Sequence, residues 1–224
     1  NGHKIDKISA HNFFSKKKYE IKKEINTSYK ATRFNKPIIT NINDKKIILN
    51  GNIVINKNKI FNDKVIIKEG TVINLCGECS LMFTNKLIAE GKKNKPIIFQ
   101  GINGEKWGAI GIVGKKTEGS KLSNLIIRNG SGGLIDNIYL YASLSLNNTK
   151  NIKISDLIMK KNFLYDDMMH IVYSKDLEIY NSKFFNSFLD TIDVDVSENI
   201  NFTNVEITNS GNDGIDFMES KSRL

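Results

Sequence analysis

The chain has 224 residues, enough for one sizeable core, and no low-complexity linker divides it. Its net charge of +9 argues little for nucleic acid, because Lys outnumbers Arg 30 to 3 and phosphate and base-edge recognition draws on Arg forks. No run of about 18 uncharged apolar residues occurs, which excludes a helical membrane span.

The charge is uneven. Residues 1–50 carry 12 basic and 4 acidic side chains, and residues 164–224 carry 4 basic and 12 acidic. The basic start could rest on an acidic partner or surface. The chain begins at Asn1, which leaves room for a signal peptide removed upstream.

Residues 1–47 read as a basic leader or capping segment. Within it, the Lys-rich stretch 16–25 predicts a short, mostly polar helix, and His3 and His11 read as solvated. From Lys46 onward the pattern becomes short β-rich runs such as Ile47-Ile48-Leu49, Ile53-Val54-Ile55, Val65-Ile66-Ile67 and Pro96-Ile97-Ile98-Phe99. Each is bounded by Gly, Asn, Asp or Lys. Cys76 and Cys79 read as two small residues at a turn, with a local disulfide or half of an intersubunit metal site as alternatives. Trp107, at a strand start, is expected to pack over the edge of the fold rather than to stack on a sugar.

A repeat emerges toward the C-terminus. Asp167, Asp190 and Asp213 are 23 apart, as are His170, Asp193 and Asp216, and Ser174, Ser197 and Ser220. Ile171, Val194 and Phe217 keep the same interval, with Ile192 and Ile215, Ile179 and Phe202, Phe184 and Ile207, Asn181 and Asn204, and Asn186 and Asn209. An earlier turn joins at spacing 25, where Asn151 to Ile154 matches Asp176 to Ile179. No helical apolar spacing occurs within this period, so it predicts one turn of a β-solenoid. The expected fold is all-β, a right-handed single-stranded parallel β-helix over residues 48–224, preceded by the short basic segment.

Equivalent positions then stack about 4.8 Å apart. Alternation along residues 190–196 sends Ile192, Val194 and Val196 inward and Asp193 and Asp195 outward. The Asn pairs are expected to form amide ladders at the turns.

Two segments resemble right-handed β-helix proteins exported by bacteria, in the pectate-lyase-like superfamily. In the first, Asp63 to Ile73, Leu87 to Gly91, Lys95 to Phe99 and Trp107 to Ile110 follow the order of that group's opening coils: a Gly turn, a Pro-Ile-X-Phe strand and a Trp-Gly-X-Ile strand. The second, comprising Asp166 to Ile171, Ser187 to Asp195 and Asn209 to Asp216, resembles the β-helix module found beside CotH-like kinase domains. No kinase motif is present, so kinase activity does not carry over. A fainter likeness runs to polygalacturonase-type hydrolases, in which Asp190 and Asp213 would take the catalytic places. Here Asn212 replaces a second Asp, and the His-Gly and Arg-X-Lys coils are missing.

Stacked carboxylates about 5 Å apart repel by roughly 1 kcal/mol in water and roughly 3 kcal/mol at an effective dielectric of 20. A cation, a shared proton, a basic neighbour or simple solvent screening is expected to offset this. Asp167, Asp190 and Asp213 are the candidate metal ligands, of the hard-oxygen type that Ca²⁺ takes. Asp190, Asp213 and His170 are the catalytic candidates. Asp193, Asp195 and Asp216 form the candidate carbohydrate or ion face. Lys175, Lys183 and Lys221 are only generic candidates for the Lys or Arg that a lyase would want poised near a cation.

The leading expectation is an exported or surface-associated module that binds or accompanies polysaccharide without catalysis. The alternatives are a lyase, hydrolase or epimerase using the Asp face, and a structural spacer. Neither nucleic acid nor a membrane-spanning segment is expected. No cap follows Phe217, so further coils beyond Leu224 or a partner there are expected.

Overall fold

The structure, a computed structural model, describes residues 9–11, 18–20, 46–164 and 166–223. The chain divides into two compact units, Asn1–Ile42 and Asn43–Leu224. In the first, Ser9–His11 and Lys18–Glu20 pair antiparallel, with Ala10 opposite Tyr19. This corrects the helix expected over 16–25 at three of its residues, and the rest of that stretch lies outside the described residues. A short polar helix has little packing to hold it, whereas a cross-strand partner satisfies the same backbone groups.

The second unit is all-β. Its described residues contain no α-helix and two short 3-10 turns, Ile102–Gly104 and Lys115–Thr117. Two long sheets, of eleven and seven strands, dominate it. Ala142–Asn147, Asp167–Val172, Ile192–Asp195 and Ile215–Met218 lie side by side and parallel in the seven-stranded sheet. Lys153–Lys160, Lys175–Phe185, Glu198–Thr208 and Lys221–Arg223 do the same in the eleven-stranded sheet. From Ala142 onward the chain visits the two sheets in alternation, whereas each earlier turn gives two successive strands to the eleven-stranded sheet and one to the other. Parallel neighbours need a long return path, and here each return runs through the other sheet and arrives one rung further along. This arrangement is compatible with a parallel β-helix.

The register agrees with the sequence period. Ile171 pairs with Val194 and Val194 with Phe217, each 23 residues on. Ile179 pairs with Phe202 and Phe184 with Ile207 in the other sheet, and the earlier turn enters at 25, with Ile154 opposite Ile179. Ile154, Ile171, Ile179, Phe184, Ile192 and Val194 are fully buried in one continuous core. Burying each such side chain contributes roughly 1.5–3 kcal/mol.

The turns are set by residues that tolerate a left-handed backbone. Asn181, Asn186, Asn204 and Asn209 have φ of 52°, 60°, 52° and 61°, a region where short amide side chains compensate locally. Their amides also form the expected ladders, Asn204 donating to Asn181 at 2.8 Å and Asn209 to Asn186 at 2.7 Å. A hydroxyl column accompanies them: the amides of Ser174 and Ser197 donate to the Oγ atoms of Ser197 and Ser220, both at 3.0 Å.

One inward assignment is corrected. Val196 is 45% exposed and has a φ of 43°. The strand ends at Asp195, so the alternation stops one residue earlier than the sequence suggests and Val196 forms the corner. Tyr173 and Glu219, 23 residues away on either side, share its left-handed backbone.

Cys76 and Cys79 are joined in a local disulfide, one of the alternatives left open by their spacing. Trp107 is fully buried and its indole Nε1 donates to the Arg128 carbonyl at 2.8 Å, which makes it a packing residue. No helix among the described residues is long and apolar enough to cross a membrane.

Candidate functional site

The outward rows of the seven-stranded sheet carry the site. Met82, Gly111, Ser145, His170, Asp193 and Asp216 follow one another in register across successive strands. The first part of this row is covered. An antiparallel hairpin, Gly133–Ile135 with Ile138–Leu140, lies over it, and Ile135 and Leu140 are buried with Met82 and Ala109. A Cβ on Gly111 would lie 2.9 Å from Leu140 Cδ2, so the bare glycine is what lets the hairpin sit close to the sheet. Where the hairpin ends the row becomes polar and acidic.

Tyr139 and Tyr141 mark that border. Both are about half exposed. Their rings stack at 6.0 Å, and Tyr141 meets the His170 ring edge-on at 6.1 Å. Neither tyrosine was a candidate from sequence, although the alternation in Ile138-Tyr139-Leu140-Tyr141 carries the signal of a one-sided strand.

Among the described residues, His170 is the basic group set against the outward carboxylates. Its Nε2 lies 3.2 Å from Asp195 Oδ2 and 3.7 Å from Asp193 Oδ2. The other oxygens of these two residues, Asp193 Oδ1 and Asp195 Oδ1, are buried and have no hydrogen-bond partner among the described residues. A buried acceptor left in that state costs about 1–3 kcal/mol.

Asp167, at the start of its strand, is only 3% exposed. Burial, followed by the charges of Asp193, Asp166, Asp190 and Asp195, pushes its pKa up to about 8. Asp193 is raised to about 6, again chiefly by burial, with His170 opposing the shift and Asp195, Asp216 and Asp190 adding to it.

Two groups of donor atoms result. Atoms of Asp167, His170 and Asp193 all lie within 4.8 Å of one another, as do those of Asp166, Asp167 and Asp190. Of the expected metal set, Asp167 and Asp190 come together, and Asp213 belongs to neither group. Asp190 is engaged elsewhere: its Oδ1 accepts from the Asp213 backbone amide at 2.7 Å and from Asn212 Nδ2 at 2.8 Å, fixing the next turn. Asp213 is exposed, with Asn212 Nδ2 at 3.4 Å from its carboxylate. Asp216 is half-buried and stacks on Asp193. Lys175, Lys183 and Lys221 lie on strands of the eleven-stranded sheet, where Lys175 pairs with Glu198 at 2.8 Å and Lys183 with Glu206.

Fold and site together define an all-β protein of long parallel sheets with a histidine and aspartate strip on one outer face. Among solved structures it resembles a "putative glycosyl hydrolase" from Parabacteroides merdae, with a TM-score of 0.52 and 10% identity over 73% of this chain and 80% of that one. At that identity the likeness is one of fold. The family model of the Sulfocyanin (SoxE) domain matches residues 28–131, less than half of the chain. No curated protein matches the chain.

Proposed function

We propose that residues 48–224 form a right-handed single-stranded parallel β-helix, exported or surface-associated, that binds polysaccharide along the outer face of the seven-stranded sheet. The observation that carries this reading is the exposed Tyr139 and Tyr141 pair set beside the strip of His170, Asp193, Asp195 and Asp216. Sugars present apolar ring faces and hydroxyl donors, and aromatic faces beside carboxylate acceptors complement both. The repeat along the sheet gives a polymer equivalent acceptors at successive rungs. The fold shared with a protein named as a glycosyl hydrolase supports a carbohydrate setting.

Binding rather than turnover is the first reading because the catalytic candidates are poorly placed for substrate. Asp190 caps a turn, Asp213 belongs to neither donor group, and His170 is engaged by Asp195. Catalysis remains the second reading on one observation: Asp167 stays protonated to about pH 8 with Asp190 within 4.8 Å, a proton donor beside a second carboxyl group.

Affinity electrophoresis of the full chain in gels cast with soluble polysaccharides tests the proposal. Retardation by at least one glycan, lost on Tyr139→Ala plus Tyr141→Ala with an unchanged melting temperature, is the expected result. Migration unaffected by every neutral and charged glycan tried would overturn it. Release of new reducing ends, abolished by Asp167→Asn, would promote the second reading to first.

A further inference from the structure

We infer that Asp167, His170 and Asp193 form a binding site for a divalent first-row metal ion, with Asp195 as a further donor, a site that stands independently of the glycan reading. The acidic strip alone would not carry this. Two other observations do. Asp167 is 3% exposed, and no side-chain partner is recorded for its carboxyl group among the described residues, yet its oxygen lies within 4.8 Å of donor atoms of His170 and Asp193. Asp193 Oδ1 and Asp195 Oδ1 are likewise buried acceptors without donors. A carboxyl group almost fully buried, within reach of an imidazole and of a second carboxylate that itself keeps an unpaired buried oxygen, calls for a cation.

The enclosure decides which kind. A sugar ammonium group is too large and too hydrated to reach a carboxyl 3% exposed, whereas a bare ion is small enough. The imidazole then selects among ions, because Ca²⁺ and Mg²⁺ prefer all-oxygen shells and nitrogen suits Zn²⁺ and its first-row neighbours. With donors about 2.1 Å from the metal, tetrahedral coordination sets them about 3.4 Å apart. The His170 to Asp195 and His170 to Asp193 separations of 3.2 and 3.7 Å bracket that value. Asp167, with an oxygen within 4.8 Å of the donor atoms of His170 and Asp193, completes the set.

Isothermal titration of the full chain with ZnCl₂ tests the site, in a His3→Ala/His11→Ala background that removes the other two imidazoles. One equivalent of Zn²⁺ is expected to bind, at least ten times more tightly than Ca²⁺. His170→Gln and Asp193→Asn should each weaken Zn²⁺ at least tenfold, and Asp213→Asn, outside both donor groups, should leave it unchanged. Absence of a one-to-one site, or equal Zn²⁺ affinity in both variants with native circular dichroism, would overturn the inference. Tyr141→Ala separates the two proposals: it should lose glycan retardation and keep its Zn²⁺ equivalent. Failure of Zn²⁺ binding with glycan binding intact overturns the metal site alone.

Discussion

His170 makes its shorter contact with Asp195, which is not its register partner. Asp193 stands opposite His170 in the parallel pairing and Asp195 stands opposite Val172, yet Nε2 is 3.2 Å from Asp195 and 3.7 Å from Asp193. One imidazole thus bridges two outward rows, and the repulsion between neighbouring carboxylates is relieved diagonally.

Removing that bridge leaves two partly buried carboxylates facing each other. His170→Ala is expected to destabilise the fold by about 2 kcal/mol, measured by urea unfolding in metal-free buffer. In the same buffer Asp195→Asn should cost less in the His170→Ala background than in the parent. Strict additivity of the two substitutions would rule out the coupling.

Asp167 gives a pH signature. Its folded pKa of about 8 lies above the 3.8 of an ordinary aspartate, so the folded state holds the proton more strongly than the unfolded chain. The stability this lends is fully present below about pH 4 and is lost as pH rises to about 8. Asp167→Asn mimics the neutral acid. Under chelating conditions it should match the parent in unfolding free energy near pH 4 and exceed it above pH 8, by about 6 kcal/mol at most. A difference that does not change with pH would count against a buried neutral Asp167.

Val196 occupies a corner with a φ of 43°, which is costly for a β-branched side chain. Asn148 takes a φ of 52° just after Ala142–Asn147, two strands away in the same sheet, and it shows the residue type that suits such a turn. Val196→Asn is expected to stabilise by about 1 kcal/mol, read as a higher urea midpoint with an unchanged slope. A lower midpoint would show that the exposed valine packs usefully where it is.

Gly111 controls the height of the hairpin. Gly111→Ala should cost about 1–2 kcal/mol by pressing a methyl group into Leu140. It should also weaken glycan retardation by shifting Tyr139 and Tyr141. Adding Leu140→Ala should recover part of the glycan binding, because the truncated side chain frees the space that the new methyl takes. A Gly111→Ala protein that binds glycan as the parent does would detach the tyrosines from the hairpin's seating.

The sequence by itself determined the rungs. Side chains that recur every 23 residues in apolar, amide, hydroxyl and acidic positions can be read as vertical columns, because parallel strands in register place equivalent residues on top of one another. The pairings of Ile171 with Val194 and Asn181 with Asn204 follow from that rule. Only the tertiary structure decided what happens sideways. The diagonal reach of His170 to Asp195, the use of Asp190 to cap the Asp213 turn and the corner at Val196 depend on where each strand stops, which period alone does not state. The hairpin at Gly133–Leu140 lies outside the repeat altogether. Its packing over Gly111 brings Tyr141 against His170, 29 residues on and on another strand. A contact between a repeated position and an unrepeated insertion has no periodic signal, and that contact turns an acidic column into a bordered site.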